Sequence, residues 1–469
     1  MTDNVTRLGS KNLTTVDCVA QSLAVGPVLS AVLLGAILAS LSGGVGPITL
    51  VITVIGILGI GWTVSEFAKR FAGTGTVYEF IAHSLGKRAA VFAAGIYHLA
   101  VLALAAVGIP IVGGQLARQF FDSHLGINIP WWIWTLVIIG IIYALNTLGV
   151  QTSIRAQLAV IVFSLIPLAI LSVKVVADGG VSGNSLRSFN PSNVAAGGSI
   201  FKGLLFAILM FIGFELAAAL GEETADPKKS IPRAVIATIL IVFAIYLITQ
   251  YVFSIGSSAE LTSFEAMGDA YVGRWLQIWI ELGLLLDVLA IGIGFCLAGS
   301  RGVFTLSRDG LLPGELAKLN GHEQPVRGNQ VVAAVGVIFT IITLIKYGTT
   351  AFLDPDGNQI FPVREEGFWA FLIAARLGGL VICIVYLMLC TGALRTFATK
   401  RPIDLVAALI GAVISFLGIA SSFVEGTKPL GDEKWGVTLA IVAVVVVAGW
   451  LGLNWRKAEN AAAYSVTHA

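Results

Sequence analysis

Apolar stretches of about twenty residues recur from one end of the chain to the other, each long enough to cross a hydrocarbon core of roughly 30 Å as a helix rising 1.5 Å per residue. In lipid every backbone N–H and C=O must find a partner within the protein, and a helix is the one element that satisfies them inside a single segment. Of the 469 residues 57% are hydrophobic and only 12% charged, too little polar surface to cover a soluble fold. The sequence therefore predicts an all-α polytopic membrane protein. Its twelve expected spans are residues 19–41, 46–68, 88–121, 130–149, 155–177, 200–221, 233–256, 274–304, 329–347, 367–393, 403–423 and 435–455.

Basic residues fall in alternate connections: Arg7 and Lys11, then Lys69, Arg70, Lys87 and Arg88, then Arg155, Lys228, Lys229 and Arg233. The series continues through Arg308, Lys318 and Arg327 to Arg395, Lys400 and Arg401, and ends at Arg456 and Lys457. The positive-inside rule then predicts a plasma (inner) membrane protein with both termini, residues 1–18 and 456–469, in the cytoplasm. The polar N-terminal stretch lacks a signal-peptide core, so residues 19–41 are expected to be a true span. The four cysteines include Cys296, Cys383 and Cys390 within apolar segments and suggest no disulfide framework. Metal-ligand spacing, a phosphate-binding glycine loop and a nucleophile elbow do not occur, and no basic face suggests nucleic acid; neither an enzyme nor a cofactor is expected. The partners expected are the bilayer and a small solute. The sequence leaves the oligomeric state open.

Two spans carry interruptions. In the first, Gly26-Pro27 falls within the apolar run, where proline lacks an N–H and pushes its predecessor out of helical geometry. In the sixth, Gly213 and Glu215 stand where neither helps a lipid-facing helix. Spans one and six are five apart, the spacing of two inverted five-helix repeats that each open on a broken helix. The repeats would be residues 19–177 and 200–393, with 403–455 forming two further helices.

Phe211-Ile212-Gly213-Phe214-Glu215, followed by Gly221-Glu222-Glu223-Thr224-Ala225-Asp226-Pro227-Lys228-Lys229-Ser230-Ile231-Pro232-Arg233-Ala234, resembles the signature of the amino acid-polyamine-organocation superfamily of permeases. Ser300-Arg301 with Ser307-Arg308-Asp309-Gly310-Leu311-Leu312-Pro313 resembles the family's end of span eight, and Gly73-Thr74-Gly75-Thr76-Val77-Tyr78 its glycine-rich loop after span two. The resemblance implies a LeuT-like fold, alternating access, and a substrate site between spans one, three, six, eight and ten. Helix ends at the breaks carry partial charges that can hold a zwitterion. N–H groups near Val28, Leu29 and Ser30 would receive a carboxylate, and carbonyls near Ala24, Val25, Leu209, Met210 and Phe211 an ammonium, with Gly26 and Gly213 making the breaks. Where relatives commonly have a Gly-Ser-Gly-like stretch, this chain has Val25-Gly26-Pro27-Val28. Phe295 aligns with an aromatic residue that contacts substrate in some relatives.

Charged groups within spans need partners or purposes. Glu215 is assigned to gating or proton linkage. Asp287 and Arg376, at similar depths in spans eight and ten, are expected either to pair across an outer gate or to leave Asp287 free to bind a cation. Where some proton-coupled relatives carry a lysine in span five, this chain has Ser164, and Ser164 and Ser300 are the candidate sodium ligands. The coupling ion would be a proton or sodium, and an exchanger needs neither. The expected function is a permease for a neutral or apolar amino acid. The alternatives are a transporter of cationic amino acids or polyamines and a non-transporting amino-acid sensor.

Overall fold

The structure is a computed structural model that describes residues 12–23, 26–71, 77–148, 150–258, 260–348, 368–423, 434–454, 456 and 459. Among these residues helices carry the architecture, and the strand content is an isolated bridge between Leu13 and Thr224. Eleven helices are long and apolar enough to cross a membrane, and Trp131–Thr147 is a shorter apolar helix of 17 residues that makes the twelfth. Spans one to six run over Thr15–Leu41, Gly46–Ala68, Lys87–Leu125, Trp131–Thr147, Val150–Asp178 and Ile200–Leu220. Spans seven to twelve run over Pro227–Gly256, Arg274–Arg308, Val326–Tyr347, Phe368–Thr396, Pro402–Ala420 and Lys434–Leu453.

Several helices begin earlier than hydropathy alone places them, and the reason is capping. Span one opens at Thr15 because Thr14 and Asp17 form a reciprocal capping box, the Thr14 N–H donating to the Asp17 carboxylate at 2.8 Å. Span seven opens on Pro227 rather than at Arg233, since a proline in the first turn sacrifices only an N–H that has no intrahelical partner. Residues 73–76 of the glycine-rich stretch lie outside the described residues; Val77 and Tyr78 belong to a nine-residue helix, Val77–Leu85, that hydropathy does not predict.

Packing sorts the spans into two groups around a shared core. Span two packs on spans seven and eleven, and span eleven on span ten; span eight packs on spans five, three and nine, and span three on span four. Close approach is set by small residues. A Cβ on Gly59 of span two would fall 2.5 Å from the Ala407 carbonyl oxygen of span eleven, and one on Gly283 of span eight would touch Ser164 of span five at 3.4 Å. Spans one and six lie between the groups. The most apolar 18-residue window of span six is 100% buried by protein and that of span one 88%, against 17% for span twelve. Outer spans turn residues such as Ile345, Val445 and Val446 outward, the apolar exposure that lipid, not water, accommodates.

At the end of the bundle where span one begins, ion pairs and hydrogen bonds join five segments. Arg301 of span eight is fully buried and forks onto Glu223, its Nε and Nη2 donating to the carboxylate at 2.9 and 2.7 Å, with Gln324 beyond at 3.4 Å. Glu223 lies in the connection after span six, and its carbonyl accepts from the Leu13 N–H at 3.0 Å. Arg308 pairs with Glu222 at 3.0 Å, and the Tyr78 hydroxyl donates to Asp309 at 2.8 Å. Removing one partner from a buried pair strands the other charge, so Arg301→Ala should cost about 3–5 kcal/mol. Thermal unfolding in detergent checks this: Arg301→Ala should lower Tm markedly, and Arg301→Met with Glu223→Leu should recover most of the loss.

Candidate functional site

The break in span one begins where Ser22 ends the first half. Ser22 Oγ donates to the Phe214 carbonyl at 2.8 Å and Gln21 Nε2 to the Gly294 carbonyl at 3.1 Å, so the end of this half-helix is pinned to spans six and eight. Gly26 then adopts φ +64°, a left-handed conformation that glycine enters at little cost. Ala24 and Val25, whose carbonyls are expected to receive an ammonium, lie outside the described residues. Pro27 restarts the helix, which continues without interruption to Leu41 through a π-helical turn at Ser30–Leu34.

A restarted helix exposes its first N–H groups. Here Pro27 has none, and the Ser30 N–H donates to the Gly26 carbonyl at 2.9 Å. The remaining two, on Val28 and Leu29, both donate to Asp287 Oδ2, at 3.1 and 2.7 Å. The sequence reading reserved these donors for a substrate carboxylate; the structure fills them with a side chain from span eight. Asp287 therefore does not pair with Arg376. Arg376 lies instead over the Phe206 ring at 4.9 Å and donates to Ser422 Oγ at 3.3 Å. Matched depth in two spans had not fixed which way either side chain turned.

Span six breaks after Leu209. Tight turns follow, in which Phe211, Ile212 and Phe214 donate to the carbonyls of Ile208, Leu209 and Phe211, and Gly213 takes φ +120° before a 3-10 helix over Phe214–Leu220. The Met210 carbonyl accepts from the Tyr246 hydroxyl at 2.8 Å. Glu215 serves the same break: its Oε2 accepts from the Gly213 N–H at 3.1 Å, and its Oε1 from the Tyr97 hydroxyl of span three at 3.3 Å.

The two breaks meet at a cavity of about 40 Å³, room for about three waters. It is lined by Leu29 and Ser30 of span one, Leu104 and Ile109 of span three, Leu209 and Ile212 of span six, Ile291 and Phe295 of span eight, and Phe371 and Ala375 of span ten. Leu29, Ser30, Leu209 and Phe295 are thus brought together as predicted site residues. Gly26, Val28, Met210, Phe211 and Gly213 are buried and do not line the cavity. Tyr246 and Tyr97, which hold the span-six break from spans seven and three, escaped the sequence reading. A tyrosine hydroxyl deep in an apolar span is the signal that marks them, since it must find an acceptor there.

The candidate sodium ligands do not converge. Ser164 packs against Gly283, whereas Ser300 lies seventeen residues further along the same span, about 25 Å away at 1.5 Å per residue. Ser300 Oγ donates to the Leu297 carbonyl at 3.0 Å, the local bond common for serine in membrane helices.

The family described as Amino acid permease matches residues 20–448. The L-asparagine permease of Salmonella typhimurium is 23% identical over 421 residues, 84% of this chain and 79% of that protein. The branched-chain amino acid permease BcaP of Bacillus subtilis is 26% identical over 300 residues, 59% of this chain and 63% of that one. The low-affinity putrescine importer PlaP of Escherichia coli is 24% identical over 324 residues, 67% and 70% of the two chains. Among solved structures, MhsT in complex with L-phenylalanine covers 88% of this chain and 100% of its own at a TM-score of 0.59 and 13% identity. That likeness shows the fold, the LeuT fold of two inverted repeats with two added helices. With the match running from span one to span twelve, the chain belongs to the amino acid permease family: it is a multi-pass membrane transporter and not an enzyme.

Proposed function

We propose that this permease moves a small amine with an apolar body, an amino acid or a near relative of one, by alternating access around the breaks in spans one and six. The observation that carries this is the cavity where both breaks meet, walled by Leu29, Leu104, Ile109, Leu209, Ile212, Ile291, Phe295 and Phe371. Among the described residues that line it, every side chain but that of Ser30 is aliphatic or aromatic, so it favours a ligand with a hydrocarbon body. Asparagine, branched-chain amino acids and putrescine, the solutes for which the related permeases are named, share an amino group, and their side chains span polar to apolar. The apolar lining supports a neutral, apolar body; the charged end of the substrate is set by Asp287 and the breaks.

Alternating access requires the broken spans to change neighbours. Glu215 would take part: it joins the span-six break to Tyr97 on span three and would exchange that partner as the two move apart. A carboxylate that exchanges partners is a natural proton carrier, which favours proton coupling or exchange over sodium held by Ser164 and Ser300.

Purified protein in proteoliposomes, offered a pooled set of labelled amino acids and amines, should show saturable uptake. Parallel arms with an imposed proton gradient, a sodium gradient, or counter-substrate inside identify the coupling, and the proton or exchange arm should support accumulation. Ligand binding with no accumulation in any arm would move the protein to the sensor class. Gly213→Ala tests the hinge: at φ +120° a side chain is strained, so transport should fall by about tenfold or more while the protein still purifies as a folded species.

A further inference from the structure

We infer that Asp287 is a built-in replacement for a substrate carboxylate at the span-one break, so that the site takes a primary amine that carries no carboxylate of its own. This rests on the transport reading above and names its substrate class.

The helix restarted at Pro27 offers two backbone donors and no more, those of Val28 and Leu29, and Asp287 Oδ2 accepts both. Asp287 and Val28 are fully buried and Leu29 is 3% exposed, so water does not compete for these bonds. Space there is closed as well. A Cβ on Gly26 would come within 2.0 Å of Ile291 Cδ1 and 3.2 Å of Asp287 Oδ2, which leaves no room for a second carboxylate between the break and span eight. A zwitterion could claim the donors only by expelling Asp287, or by placing its carboxylate against another one where little water screens the repulsion.

An ammonium group brings three donors and needs acceptors. The carbonyls that the span-six break might have offered are already engaged: Leu209 by the Ile212 N–H, Met210 by the Tyr246 hydroxyl, Phe211 by the Phe214 N–H. Among the described residues Asp287 Oδ1 has no hydrogen-bond partner, and it is buried, a charged acceptor left over beside Leu29 and one helical turn from Ile291, both of which line the cavity. A buried carboxylate with one oxygen bonded to backbone and the other unmatched calls for a cation. The ammonium would sit on Oδ1 and the hydrocarbon body in the apolar cavity.

The test uses matched pairs that differ only by the carboxylate: isopentylamine and leucine, phenethylamine and phenylalanine, 1,4-diaminobutane and ornithine. Binding is read by tryptophan fluorescence in detergent and movement by uptake into proteoliposomes. In each pair the protein takes, the decarboxylated member should be favoured by about thirtyfold, the scale of one desolvated charge contact. Asp287→Asn keeps an acceptor for Val28 and Leu29 but removes the charge, and should weaken amine binding by a similar factor with little change in Tm. Asp287→Ala frees both donors and should raise affinity for the amino acid of the pair, a gain that misfolding does not produce. Equal or stronger binding of the amino acid by the unsubstituted protein would overturn the assignment while leaving transport intact. Amine binding with no uptake in any arm would overturn the transport reading while leaving Asp287 its role.

Discussion

Breaking two helices in the middle of a membrane protein strands backbone N–H and C=O groups where no water reaches them, and each left unmatched costs several kcal/mol. The rest of the structure can be understood from how those groups are answered. At span one the answer comes from Asp287 on span eight, at span six from Tyr246 on span seven and Glu215 with Tyr97 behind it. Because the partners sit on spans three, seven and eight, those spans must close around the breaks, and spans one and six become the most deeply buried helices of the bundle. Lipid-facing spans such as nine and twelve have no such duty and carry mainly aliphatic residues.

The stretches that marked the family turn out to be partners of one another. Glu222 and Glu223 follow span six, while Arg301, Arg308 and Asp309 close span eight, and the two groups meet as Glu223 with Arg301 and Glu222 with Arg308. Tyr78, from the third stretch, reaches Asp309. A second tie, between Leu13 and the backbone of Glu223 and Ala225, brings the segment before span one into the same cluster. Charged residues at a membrane boundary usually need no such explanation, but a guanidinium with no solvent exposure does. Arg301 holds the end of span eight to the connection that leaves span six, so the half of span six beyond its break is anchored at that end.

Much of this was legible in the sequence because the bilayer makes length and apolarity decisive. Span two was placed at its observed limits, and both breaks were legible because Gly26-Pro27 and Gly213 violate helix chemistry locally. Helix Val77–Leu85 was not, since nine residues beside a glycine-rich run give neither the length of a span nor a long amphipathic period. The partner of Asp287 was out of reach for another reason. A carboxylate in an apolar span announces that it needs something, but the Leu29 N–H it meets is 258 residues away, and that meeting depends on how span eight crosses span one. Counting depth along the helix put Arg376 at a plausible height and said nothing of azimuth.

The two buried carboxylates answer their breaks in opposite ways, and the difference bears on motion. Glu215 bonds the N–H of Gly213, two residues before it on the same chain segment, so that contact travels with span six whatever the neighbouring spans do. Outward it meets the Tyr97 hydroxyl of span three at 3.3 Å, long for two oxygens, and the Tyr386 hydroxyl of span ten. Asp287 bonds a different helix altogether, at 2.7 and 3.1 Å, and these contacts survive only while spans one and eight keep their present spacing. Separation of span one from span eight must break two charge-assisted bonds at once and strand both the carboxylate and the helix end, whereas separation of span six from span three gives up one long bond. The restraint on span one is thus the stiffer, and a cation that satisfies Asp287 Oδ1 acts at the contact where the bundle most resists opening.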